Sequence, residues 1–265
     1  MKITITENDL HSLVENIVSK LIEGQILEDR IVHADGYVEI DNFDTVSGML
    51  KFNSPDDVYF VQIIKRHKDN MDQYFANNAA DYITYYLFNS LAELNSKKEE
   101  IKAICDKTNS RAYIYLNPRS AKAINDYANS VLKDKFRKIR ALKYKQGHEI
   151  EVAAGQSKDW DDRSICFIDV DSDDENVYKR VAEKIKNAGI TPIATYRTTN
   201  NGWHIIIGDK EKAKTLDFSD IDGGRNFGRF ATVSLEIDKA TILYCKVRPN
   251  GYGVQQSVQR YKARR

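Results

Sequence analysis

The chain has almost no net charge and no paired cysteines, and it has no long apolar run. Forty lysines and arginines stand against 39 aspartates and glutamates among 265 residues, a formal charge of +1. No overall field therefore draws the protein to nucleic acid or to an anionic membrane, and any polyanion site has to be local. Cys105, Cys166 and Cys245 lie far apart with no C-x-x-C spacing, the last two within apolar runs that read as strands. Buried thiols in a reducing cytosol are the expectation. No charged-then-apolar leader opens the chain, and no apolar stretch approaches the roughly 20 residues that cross a bilayer. The sequence thus reads as soluble and cytosolic, with no membrane partner. An apolar fraction of 42% is near the globular norm and suffices for one large domain or two small ones.

Thr6-Glu7-Asn8-Asp9 resembles a capping box, and Leu10, Leu13, Val14, Ile17, Val18, Leu21 and Ile22 then recur at helical spacing up to Gly24. This predicts an amphipathic helix over residues 1–24, whose stripe can pack on its own domain or dock a protein partner. Asp35-Gly36 between Ile31-Val32 and Tyr37–Ile40 predicts a hairpin, and Val58–Ile64 a strand running into Lys65-Arg66-His67-Lys68. Between 72 and 104, Tyr82, Tyr85, Tyr86, Phe88, Leu91, Leu94, Ile101 and Ile104 suggest two helices broken near Asn95-Ser96. Arg111–Leu116 reads as a strand, Asn117–Ser120 as a turn and cap, and Ala121–Leu142 as a helix.

The later half is more regular. Ser164–Val170 predicts a buried strand, Asn176–Ala188 a helix closed by Gly189, and Thr191–Thr195 and Trp203–Ile207 two further strands. A polar turn, Arg197-Thr198-Thr199-Asn200-Asn201-Gly202, joins the last two. Val233–Ile237 and Thr241–Val247 complete the set, separated near Asp238-Lys239.

Asp169 and Asp171 close the apolar run Ile165–Ile168, and residues two apart on a strand share a face. Two adjacent carboxylates need a cation or donors, and hard oxygen ligands suit magnesium or manganese. Both aspartates could equally cap the next helix within the acidic run Asp171–Glu175. Gly202-Trp203-His204 opens a strand after the polar turn. Asn-Asn-Gly there lets a phosphate approach the backbone, with Thr198, Asn200 and His204 as candidate contacts. A histidine beside a tryptophan is also a common core residue. Leu235-Glu236-Ile237-Asp238 offers a further carboxylate, and alone Asp238 is an ordinary turn residue.

In this order the three elements Asp169-Val170-Asp171, Gly202-Trp203-His204 and Ile237-Asp238 resemble the catalytic core of the archaeo-eukaryotic primase and primase-polymerase superfamily. The resemblance spans roughly residues 160–250 and includes Lys246-Val247-Arg248. It implies an α+β protein with a primase-type palm, an RRM-like antiparallel or mixed sheet flanked by helices. The palm would occupy residues 151–265, preceded by an N-terminal α/β part at 25–150 and the helix at 1–24, although 25–265 could pack as one unit. Asp169, Asp171 and Asp238 would hold two Mg2+ or Mn2+ ions about 3.5 to 4 Å apart for in-line nucleotidyl transfer. His204 would bind the phosphates of a nucleoside triphosphate, and Arg248 and Lys246 would neutralise developing charge. The implied activity is that of a primase or primase-polymerase on single-stranded DNA, in a phage-type protein.

Template contacts are sought among basic residues with interleaved aromatics: Lys65, Arg66 and Lys68, Arg111 and Arg119, and Arg137, Lys138, Arg140 and Lys143 beside Phe136 and Tyr144. Such a run is also what a solvated helix end looks like. Two alternatives stand beside the primase reading. Phe167–Asp171 also fits the first motif of haloacid-dehalogenase-like phosphohydrolases, except that Asp173 stands where Thr or Val is expected. A palm-like module could also bind nucleic acid or a virion component without catalysis.

Overall fold

The computed structural model describes residues 26–27, 30–66, 69, 80–136, 165–221 and 232–247. In chain order the strands are β1 (Ile26–Leu27), β2 (Arg30–Val32), β3 (Val38–Asp41), β4 (Asp57–Arg66), β5 (Ala80–Phe88), β6 (Arg111–Tyr115) and β7 (Arg119–Ser120). They continue with β8 (Cys166–Val170), β9 (Ala194–Arg197), β10 (Trp203–Ile207), β11 (Val233–Ile237) and β12 (Ala240–Val247). The helices are α1 (Phe43–Ser47), α2 (Leu91–Ser96), α3 (Lys98–Thr108), α4 (Ala121–Phe136), α5 (Glu175–Asn187) and α6 (Lys210–Ala213). The fold is α+β, with two sheets whose pairings are antiparallel apart from β1 on β9. Among the described residues no helix is long and apolar enough to cross a membrane.

The described residues divide into two compact units, one built from β1 and the described residues between 165 and 238, the other from those between 30 and 136 and from 239 to 247. A single linear boundary near residue 150 is therefore not where they separate. β1, from the early part, extends the later sheet, and β12, from the late part, lies between β3 and β6 in the earlier one.

The first unit has strand order β1-β9-β10-β8-β11. β8 and β9 are both antiparallel to β10, which lies between them. The connection β8-α5-β9 is thus a split β-α-β unit, and β10 returns by a tight turn. Helix α5 forms because its acidic N-terminal side is capped and its apolar residues face the sheet. The Asp174 carboxylate accepts the Asn176 amide at 2.8 Å, and Gly189 leaves the helix at φ 67°. Val181 and Ile185 pack on Cys166, Ile168 and Val170 of β8 and on Trp203, Ile205 and Ile207 of β10. Strict alternation sends Phe167, Asp169, His204 and Ile206 to the opposite face.

The second unit has strand order β2-β3-β12-β6-β4-β5, with β7 also on β4. Phe60 pairs with Leu87 and Val61 with Tyr86, so these neighbours point to opposite faces. Helix α4 covers the Phe60 face through Ile124. Helix α3 covers the other, where Glu100 accepts from Tyr86 Oη at 2.8 Å and Asp106 from Tyr244 Oη at 2.9 Å. The N-terminus of α4 is held as the turn-and-cap reading expects. Ser120 Oγ accepts the Ala123 amide at 3.0 Å, and Asp56 accepts the Lys122 amide at 2.8 Å.

The helical reading of 72–104 is corrected in its first half. Ala80–Phe88 is a strand of nine residues, ADYITYYLF, and pairs along its length with β4. Its aromatic and β-branched residues suit a half-buried edge strand, and this outweighs the helical spacing of Tyr82, Tyr85 and Phe88. The expected break does occur, between α2 and α3 at Lys97. The helix expected over 1–24 lies outside the described residues, as do the tail and residues 137–164. All three cysteines are buried and free.

Candidate functional site

The candidate site is built on the face of the first unit's sheet that points away from α5. His204 and Ser234 both pair with Asp169, and Tyr196 pairs with His204. Directly opposed residues of antiparallel strands share a face, so Tyr196, His204, Asp169 and Ser234 form one row across four strands. His204 Nε2 lies 3.5 Å from Asp169 Oδ1, with side chains 12% and 36% exposed. The imidazole is braced by the Phe167 ring, centroids 4.6 Å apart, and by Tyr196 at 5.7 Å. The carboxylate is open to water while the histidine is held in one place.

Asp171 is exposed and stands one residue beyond β8. Its amide donates to the Thr232 carbonyl at 2.7 Å, which continues the β8–β11 ladder by one step and keeps Asp171 on the Asp169 face. Capping of α5 is done by Asp174, with Ser172 Oγ accepting the Asp174 amide at 3.2 Å. Capping therefore does not account for Asp169 or Asp171.

Asp238 is not brought to this pair. Val233 pairs with Val170, but Ile237 pairs with Cys166, at the other end of β8. The antiparallel direction of β11 carries Asp238 roughly 13 Å along the strand from the level of Asp169, at about 3.3 Å per residue. It sits there in a left-handed turn with φ 54°. The acidic residue that alternation does bring to the face is Glu236, which pairs with Phe167 and accepts from Ser234 Oγ at 2.9 Å. The parity of Ser234 and Glu236 on their strand was the available signal for it.

The turn from Thr198 to Gly202 is closed internally. The Thr198 amide donates to the Gly202 carbonyl at 2.9 Å and the Asn201 amide to the Thr198 carbonyl at 3.1 Å. Asn201 has φ 67°. Gly202 is required by close approach, because a Cβ there would collide with the Val170 carbonyl oxygen. Thr199 is buried, and Asn200 is exposed at the tip. Arg197, at the end of β9, lies with its guanidinium 3.9 Å from the centroid of the Trp203 ring, which stacks at 5.0 Å on Tyr178 of α5.

The other expected contacts are scattered. Lys246 belongs to the second unit, 3.9 Å from Glu39. Arg111 is no phosphate contact: it is 4% exposed and grips the buried Asp69 carboxylate through Nε at 2.7 Å and Nη2 at 2.5 Å. Arg119 is 2% exposed and lies over the Tyr115 ring. Arg111 spends its charge on a buried carboxylate, and Arg119 is buried against the half-buried Tyr115 ring, so neither guanidinium is exposed to a polyanion. Arg66 donates to Tyr113 Oη at 3.3 Å, and Lys65 sits beside it on β4. Lys68, Arg137, Lys138, Arg140, Lys143 and Arg248 lie outside the described residues.

Two carboxylates on one face, with substrate phosphates to complete the shell, are a donor set that magnesium-type ions accept. Asp169 and Asp171 fit that description. Among the described residues no group of three or more His, Cys, Asp or Glu could hold a metal ion, so the expected three-carboxylate clamp does not fit. No protein-family model, curated protein or solved structure matches the chain.

Proposed function

We propose that the protein is a primase-type nucleotidyltransferase that makes or extends primers from nucleoside triphosphates on single-stranded DNA, in the manner of a phage primase-polymerase. The observation that carries this reading is Asp169 facing His204 across β8 and β10, with Asp171 on the same face at the strand's end. The strand order β9-β10-β8-β11 with its split β-α-β connection supports an RRM-like palm beneath that face.

In this mechanism Asp169 and Asp171 are the residues that would hold a Mg2+ or Mn2+ ion. When bound, the ion supplies Lewis-acid stabilisation of phosphoryl charge. His204, kept in place by Phe167 and Tyr196, donates a ring N–H to a phosphate oxygen. Asn200, exposed at the tip of the turn that precedes His204, is a further polar group offered to the nucleotide. Catalysis is positioning and electrostatics, with no covalent intermediate on the protein.

A second reading, a palm-like module that binds nucleic acid or a virion component without catalysis, is favoured by one observation: Asp238 stands at the far end of β11 from Asp169. Incorporation of labelled nucleotides on a single-stranded template, with magnesium or manganese, separates the two. The proposed function requires incorporation by the wild type and its loss in Asp171→Ala. Template binding without incorporation under either metal favours the second reading.

A further inference from the structure

The turn ahead of His204 and the loop after Asp171 are separate in sequence, yet one side chain reaches both of their anchor points. Arg197 Nη1 donates to the Asn201 carbonyl at 2.8 Å, across the mouth of the turn. Its Nη2 lies 3.7 Å from Glu175 Oε1, in the first turn of α5, directly after the acidic loop. The plane between these two contacts lies on Trp203, which is fully buried and itself stacked on Tyr178 of α5. Only a planar cation with several fixed donors can stack and bond in two directions at once. The Arg197 side chain is 21% exposed, so it is held by the protein.

We infer that Arg197 is a positioning residue that fixes the Thr198–Gly202 turn against α5 and thereby sets His204 relative to Asp169 and Asp171 for a nucleoside triphosphate. Its catalytic consequence rests on the nucleotidyl-transfer reading, whereas its hold on the turn does not. The Glu175 arm is the lesser one, because that carboxylate is 67% exposed and water weakens the attraction. The Asn201 arm matters more: Asn201 is in the left-handed region, and the Arg197 donor on its carbonyl ties that residue back to the end of β9.

The test compares wild type with Arg197→Lys, which keeps the charge and the aliphatic stem over Trp203 but loses the planar fork, and with Arg197→Met. Two readouts are taken on the full chain, amide hydrogen exchange of residues 198–202 and KM against kcat for nucleotide incorporation. Expected for Arg197→Lys is faster exchange in 198–202 with the β8 amides unchanged. KM should rise on the order of tenfold and kcat should fall less. If Arg197→Met does not fold, Arg197→Lys alone decides. Unchanged exchange overturns the inference, and so does faster exchange with unchanged KM. If the wild type incorporates nothing under either metal, the nucleotidyl-transfer reading fails, and exchange alone then upholds or overturns the hold on the turn.

Discussion

Replacing Gly202 with alanine tests the close approach of the turn to the Val170 carbonyl of β8. A Cβ at this position would meet the Val170 carbonyl oxygen at a separation no real contact shows, and would also press on Thr198 Oγ1 at 3.2 Å. The obstacle is backbone, so relief requires β10 and β8 to move apart where Trp203 pairs with Val170. Overpacking of this kind costs about 1–3 kcal/mol. The lower unfolded-state entropy of alanine returns roughly 0.4–1 kcal/mol at most. The net cost is then at most about 2.6 kcal/mol, and at about 2–4 °C per kcal/mol for a chain of this size the melting temperature should fall by up to about 10 °C. Gly208→Ala is the matched control. Its nearest atom is Ile193 Cδ1 at 3.0 Å, the end of a flexible side chain on a residue 48% exposed, so its effect should stay within about 0.5 kcal/mol. Thermal and urea unfolding of the two variants are compared with wild type. If Gly202→Ala unfolds together with Gly208→Ala, the close approach of β8 to the turn is refuted.

Further outcomes follow from other parts of the structure. Arg111→Met leaves Asp69, 4% exposed, buried without its cation. It should destabilise by about 3–5 kcal/mol in urea unfolding, and a cost like that of a surface substitution would refute the pairing. Asp56 is held below its ordinary value of 3.8 by the Ser120 hydroxyl and then by the Lys122 amide. The folded-state pKa is thus depressed, so the stability it gives is present above pH 3.8 and lost as pH falls through the lower folded-state value. The melting difference between wild type and Asp56→Asn should be full at neutral pH and vanish in acid; a constant difference counts against the cap. Burial pushes the Cys105 and Cys245 thiols up to about 12 and Cys166 to about 11. A disulfide thiol reagent should label none of them at pH 8 in the folded protein and all three in denaturant.

Where local pattern and tertiary pairing agree, the structure was legible in the residues. β10 begins directly after Gly202, and α5 lies between a polar cap and a left-handed glycine, so both follow their sequence reading within a residue or so. β9 was expected at Thr191–Thr195 and runs from Ala194 to Arg197, since Pro192 has no amide to give a ladder. β5 was misread because tyrosines spaced for a helix also suit a strand, and only pairing with β4 decides between them. The Asp169–Asp171 face and His204 could be read from alternation and order. The level of Asp238 could not, because an apolar-Asp motif does not say at which end of its neighbour a strand finishes. Arg111 and Arg119 show the same limit for charge. The partner of Arg111 is 42 residues away, so nothing local distinguishes a buried ion pair from a phosphate contact.

The most direct measurement is metal-dependent nucleotide incorporation by Asp169→Asn, Asp171→Ala and Asp238→Ala side by side, with folding of each checked by its melting temperature. Expected is a loss of roughly a hundredfold or more in the first two and activity within a few-fold of wild type in Asp238→Ala. Wild-type incorporation in Asp171→Ala, or its abolition in a folded Asp238→Ala, would contradict a site built on β8 and β10.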